Sequence, residues 1–184
     1  MGGGQAPMQA GARSQDSPQN GVGEQTAPQG GGGGSSPAPG SGSGAFHDPQ
    51  GRYSLTPPNG WNTAADGNSG TVTFSQGASW ATIATGSGAQ PGDANKQIVQ
   101  QIQAQYKQFQ LLNEGDFQSN GHPAHGTNAT GVNPKGERAS VLVVSIGAGG
   151  GNYLTVISAS PNDQAKEINA LVMQMVQTIR FAGE

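Results

Sequence analysis

Polar and apolar positions change rhythm several times along the chain. Tyr53 and Leu55 alternate with polar neighbours, so residues 52–56 read as a short strand with both side chains on one face. Pro57 and Pro58 cannot donate to a ladder and end it. Val72 and Phe74 alternate in the same way over residues 71–75. Gln76-Gly77 offers a turn, and residues 79–85 return as a partner strand around Trp80 and Ile83.

The period then switches to helical. Ile98, Ile102, Tyr106 and Phe109 recur at spacings of four, four and three, with Val99 beside them, while the other face is mostly glutamine. Asp93 is the expected N-cap, and Asn113 to Gly115 the expected exit. Phe117 opens a weaker strand, and the small, polar residues 121–132 form another. Asn133-Pro134-Lys135-Gly136 is a turn. Residues 139–146, with Val141-Leu142-Val143-Val144 apolar on both faces, read as a central strand covered by a helix. A glycine loop over 147–152 leads to a hairpin partner over 153–158. Ser160 as N-cap, Pro161 at the first helical position and Asp163 two further on predict a last helix, with Ile168, Leu171, Val172, Met175 and Ile179 as its buried stripe. The order strands, helix, strands, helix lacks the alternation of a parallel sheet. It predicts an α+β fold with two main helices and a mostly antiparallel sheet.

Composition divides the chain near residue 45. Residues 1–44 are rich in glycine, proline, glutamine and serine and contain none of the aromatic residues. Such a stretch cannot bury enough apolar surface to offset its backbone entropy, so it is expected to be a disordered tail or linker. Residues 45–184 have the size and hydrophobic content of one domain with one core. A linker that joins nothing upstream suggests the carboxy-terminal piece of a longer protein, or alternatively a native tail.

Charge and cysteine content narrow the function. The formal net charge is -3, with 8 Lys+Arg against 11 Asp+Glu, which argues against a nucleic-acid partner. There is no cysteine, which excludes disulfides and cysteine-ligated zinc and suits an extracytoplasmic setting. No apolar run is long enough to predict an integral membrane segment.

Candidate chemistry is sparse. His122-Pro123-Ala124-His125 is a close histidine pair and the one candidate metal-ligating set. On an extended strand that spacing sends the rings to opposite faces, so the expectation is two polar strand residues near solvent. Gly147-Ala148-Gly149-Gly150-Gly151-Asn152 follows a strand as a dinucleotide fingerprint would. It lacks the third glycine and precedes a strand, so a hairpin loop explains it better. No Gly-x-Ser-x-Gly elbow is present. No catalytic residue and no cofactor are assigned. Trp61, in a Pro-Pro-Asn-Gly-Trp loop, and Trp80 are the candidate partner-binding residues; the competing expectation for Trp61 is to cap one end of the core.

Three stretches together carry a family likeness. They are Phe46-His47-Asp48-Pro49-Gln50-Gly51-Arg52-Tyr53-Ser54-Leu55-Thr56-Pro57-Pro58-Asn59-Gly60-Trp61, then Asn120-Gly121-His122-Pro123-Ala124, and then Tyr153-Leu154-Thr155-Val156 leading to a closing helix with Ile179-Arg180-Phe181 at its end. Over residues 45–184 the chain resembles the PsbP-like superfamily, which includes the photosystem II extrinsic protein PsbP, the bacterial lipoprotein DcrB and a Ran-binding nuclear import factor, and the resemblance implies a bacterial protein. The resemblance implies an α/β/α sandwich around an antiparallel sheet. It also implies a non-catalytic role as a protein-binding or accessory module, and no functional residue of PsbP carries over. A second implication is a C-terminal regulatory domain of a larger bacterial enzyme, such as a secreted zinc metallopeptidase, whose His-Glu-x-x-His helix is not in this chain.

Overall fold

The computed structural model describes residues 44–66 and 69–183; the expected tail over 1–44 lies outside them except for Gly44. The strands are β1 (Phe46–His47), β2 (Tyr53–Leu55), β3 (Asn62–Asp66), β4 (Thr71–Gln76), β5 (Ser79–Ser87), β6 (Lys107–Ser119), β7 (His122–Val132), β8 (Arg138–Gly149), β9 (Asn152–Pro161) and β10 (Arg180–Phe181). The helices are α1 (Pro91–Gln105) and α2 (Ala165–Val176), with a 3-10 turn at Asn162–Gln164 before α2. Seven strands form one sheet in the order β3-β4-β5-β9-β8-β7-β6, and β1-β2-β10 form a second. Every pairing is antiparallel. This is an α+β fold.

The large sheet has a helix on each face. Cross-strand register decides which residues look which way. Val141 and Val143 of β8 join Val99, Ile98 and Ile102 of α1 in one cluster. Leu142, Val144 and Ile146 join Ile168, Val172, Met175 and Val176 of α2 in the other, larger cluster. Strand β8 is therefore apolar on both faces because both faces are roofed. Tyr53, Leu55 and Phe46 of the small sheet close the α2-side core, where Phe46 meets Phe74 edge-on at 5.7 Å.

Both helix boundaries differ from the expectation. Helix α1 starts at Pro91, with Gln90 as N-cap, so Asp93 lies inside the first turn. Proline at the first position fixes φ without losing a needed donor. The helix stops at Gln105, and Tyr106 is already extended (φ -100°, ψ 139°). From Lys107 the chain runs as the long strand β6 where a helix was expected, because ten of its thirteen residues pair with β7. Phe109 still reaches the α1-side cluster, stacking edge-on against Tyr106 at 6.2 Å, so the apparent helical stripe is completed from a strand. Ser160 and Pro161 do not start α2 either. They end β9, paired with Ser140 and Ala139, and the helix opens at Ala165. At its far end α2 stops at Val176, and Arg180–Phe181 pairs with β2. Strand β3 has no counterpart in the expected elements, since Asn-Thr-Ala-Ala-Asp carries no large apolar residue to set a period.

One buried amide joins α1 to the sheet. Asn95 is 0% exposed. Its Nδ2 donates to the carbonyl oxygens of His125 (3.1 Å) and Val143 (3.0 Å), and its Oδ1 accepts from Thr127 Oγ1 at 2.6 Å. A polar side chain sits in the helix–sheet interface because each of its bonds is made there.

Candidate functional site

The two helices do not cover the sheet equally. Helix α1 packs chiefly on β7 and β8. On that same face the register carries the surface onward through Trp80 and Thr82 of β5, opposite Ala159 and Ile157. It continues through Thr73 and Ser75 of β4 to Ala64 and Asn62 of β3. Thr73 and Thr82 share a hydrogen bond between their hydroxyls at 2.9 Å. The result is a shelf of small, mostly uncharged side chains beside the helix, with one large ring on it. Trp80 is 36% exposed.

At the Trp80 end the shelf deepens into a groove of about 230 Å³, walled by Trp80 and Tyr106 with Ala159, Pro161, Asn133 and Arg138 around it. Burial pushes the Tyr106 phenol above its ordinary pKa, so the hydroxyl stays a proton donor. An indole and a phenol facing one groove offer flat apolar surface together with N–H and O–H donors.

The other tryptophan stands in a different place. Trp61 is 2% exposed in the α2-side core, and its indole nitrogen has no partner among the described residues. The two rings look alike in the sequence, yet only Trp80 meets solvent.

The histidines point apart. His122 contacts Phe181 edge-on at 4.8 Å on one side of β7. His125 lies on the other side, where its Nδ1–H donates to Asp116 Oδ1 at 2.6 Å. The expectation of two solvent-near rings does not hold for His125, which is 8% exposed. The first turn of α1 lies against it, a Cβ on Gly92 standing 3.7 Å from its Nδ1. Its Nε2 is buried without a hydrogen-bond partner among the described residues. Among those residues no three His, Asp or Glu side chains come together.

A second cleft, of about 440 Å³, opens at the sheet end between Arg52, Tyr53, Tyr153, Asn152 and Phe181. Its arginine is already engaged. Nε and Nη2 bind Asp48 at 2.7 and 2.8 Å, Nη2 also donates to Gly70 O at 3.1 Å, and Nη1 donates to Thr85 Oγ1. That guanidinium pins β2 to the large sheet and has little left for a ligand. The glycine loop closes the β8–β9 hairpin, with Gly149, Gly150 and Gly151 at φ 81°, 60° and 78°. This backbone needs glycine for its geometry.

The groove walls were hidden in the sequence by the element boundaries. Tyr106 falls on the apolar stripe of α1 and Pro161 at the expected start of α2, so both look like helix residues. Each becomes a groove residue because its element ends there.

No family model matches the chain, and no curated protein sequence does. Solved structures do. The solution structure of cyanobacterial PsbP (CyanoP) from Synechocystis superposes with a TM-score of 0.57 over 84% of this chain and 99% of that chain, at 15% identity. The chain has the PsbP-like fold. The Ran-binding protein Mog1p of Saccharomyces cerevisiae superposes with a TM-score of 0.56 over 77% of this chain and 96% of that chain, at 11% identity. The shared architecture extends across nearly the whole of both PsbP-like structures, while their sequences have diverged. Among the described residues no helix is long and apolar enough to cross a membrane.

Proposed function

We propose that this protein is a non-catalytic protein-binding module that works through the shelf and groove around Trp80. The observation that carries this reading is a solvent-exposed tryptophan on an unroofed sheet face, with small polar strand neighbours on one side and the groove flanked by Glu137 and Arg138 on the other. A large ring at the end of the shelf, beside the groove, is of the residue type that dominates binding energy in protein interfaces. Fold likeness to a protein described as Ran-binding agrees with a protein partner. In this reading the domain spans 45–184 and works in an extracytoplasmic setting.

A photo-crosslinking residue at position 82 of the intact chain tests it. Thr82 lies on the shelf, and Lys166 lies on α2 across the sheet. The proposal expects a discrete adduct with one partner from position 82 and none from position 166. Equal labelling from both positions, or none from either, contradicts it.

A further inference from the structure

Strand β6 ends the large sheet at the edge opposite β3. Its inner edge pairs with β7, and among the described residues no strand lies along its outer edge. We propose that this outer edge takes up an extended segment of a partner protein as an added antiparallel strand, with basic residues opposite Asp116 and Glu114 and an apolar residue opposite Leu111. The inference goes beyond the Trp80 reading and does not rest on it.

The backbone selects the kind of occupant. A strand edge presents a row of peptide N–H and C=O groups, and a second extended backbone matches their spacing. Proteins blunt such edges with prolines, bulges or very short strands. Strand β6 has thirteen residues and no proline. Both of its register irregularities lie before Asn113, one between Lys107 and Gln110 and one between Leu111 and Asn113. From Asn113 to Ser119 every residue has its own partner on β7, so this stretch is a regular strand. Residues 110–116 are exposed.

The side chains select its sequence. Leu111, Glu114 and Asp116 lie opposite Ala129, Thr127 and His125. Those β7 residues alternate, so they and their partners share one face of the sheet. It is the α1 face, since Thr127 bonds Asn95. The irregularity at Leu112 brings Leu111 into this row, because three steps along β6 match two along β7. Leu111 and Leu112 are 50% and 54% exposed, large apolar side chains left at the open edge. Asp116 accepts from His125 through Oδ1, and its second carboxylate oxygen lies outside that bond. Along β6 the row reads apolar, acid, acid. An antiparallel complement therefore reads basic, any residue, basic, any residue, apolar.

The same pairing rule argues against a second copy of this chain. Two β6 strands paired antiparallel keep their faces in common, so their pairing centres on a residue. Centring on Glu114, Gly115 or Asp116 sets acid against acid, and like charges directly opposite destabilise a ladder. A parallel partner is the weaker choice, because parallel pairing is slightly less stable per residue.

Titration of the intact chain with the peptide Thr-Lys-Thr-Lys-Thr-Val-Thr, followed by proton–nitrogen NMR, tests the proposal. It expects amide shifts centred on residues 111–118 and none along β3, the other edge of the same sheet. Glu114 is exposed, so Glu114→Lys leaves the fold intact. That variant should bind the peptide about fivefold more weakly, the scale of a reversed cross-strand charge pair. It should prefer Thr-Lys-Thr-Glu-Thr-Val-Thr, in which the residue opposite position 114 is reversed in turn. Leu111→Ala should weaken binding of the first peptide to the otherwise unaltered chain. Equal shifts on β3, equal affinity before and after the charge reversal, or no shift at millimolar peptide overturns the proposal. Shifts along β6 that grow with protein concentration in the absence of peptide also overturn it, by making a second copy the occupant.

Discussion

Trp61 and Trp80 show what one side chain can and cannot reveal from sequence. Both are tryptophans near turn residues, and composition treats them alike. Strand parity separates them. Trp80 shares its face with Thr82 and lies opposite Ala159, on the open side of β5, while its neighbour Ala81 is 0% exposed in the core. Trp61 precedes β3 and turns into the α2-side core. Other single residues carry stability. Asn95→Ala would strand the carbonyls of His125 and Val143 and the hydroxyl of Thr127, and each unsatisfied buried group costs about 1–3 kcal/mol. Urea unfolding should show a loss of at least about 2 kcal/mol, whereas a surface change such as Gln103→Ala should stay within about 0.5 kcal/mol.

Two titrating residues predict opposite pH limbs. The hydrogen bonds from Arg52 hold the Asp48 carboxyl below its ordinary pKa, although its burial opposes them. A depressed folded pKa stabilises above the unfolded value and loses that contribution as pH falls through the folded one. Stability should therefore decline below about pH 4, and Asp48→Asn should flatten the decline. Tyr53 is the reverse. Burial raises its phenol well above the ordinary value, with Asp48 nearby adding to the shift. Its contribution is intact below about pH 10 and is lost as pH rises beyond, because the unfolded chain ionises first. Tyr53→Phe should remove that alkaline limb in a melt series; an unchanged limb would assign it to another group.

At the scale of elements, periodicity located the strands β4, β5 and β8 and the apolar faces of both helices, because large residues marked the period. It erred where tertiary pairing outweighed local preference. The residues after Tyr106 continue a helical spacing by coincidence, and pairing with β7 draws them into β6. Ser160 and Pro161 have the types of a helix start, yet the ladder with β8 holds them in β9. Strand packing also fixes a glycine that composition cannot explain. Gly86 lies directly opposite Tyr153, whose ring crosses the place where a Cβ would stand. Gly86→Ala should displace that ring and cost about 1–3 kcal/mol, readable in thermal melts beside Gly115→Ala as a control in β6, where a Cβ would meet nothing within 4 Å. A cost no larger than the control would mean that Tyr153 moves aside freely.

The described residues form one large antiparallel sheet roofed differently on its two faces, by α1 on one and by α2 with the small sheet on the other. That asymmetry was not legible in the sequence, since it depends on where α1 stops and on which strands it crosses. The fold class and both core stripes were legible, because burial on two faces leaves a two-sided signature in β8 and one-sided ones in the helices. The groove at Trp80 exists only once strands from four parts of the chain are side by side. The proposed function by surface contact rests on that arrangement, which also offers a way to test it. Affinity capture from the native cell with the intact chain, compared with its Trp80→Ala form, measures the claim most directly, with a thermal melt of both to show equal folding. The account predicts that one partner retained by the unaltered chain is lost at least about tenfold on removal of the ring, the scale of an interface anchor. Equal retention of that partner by both forms would contradict it.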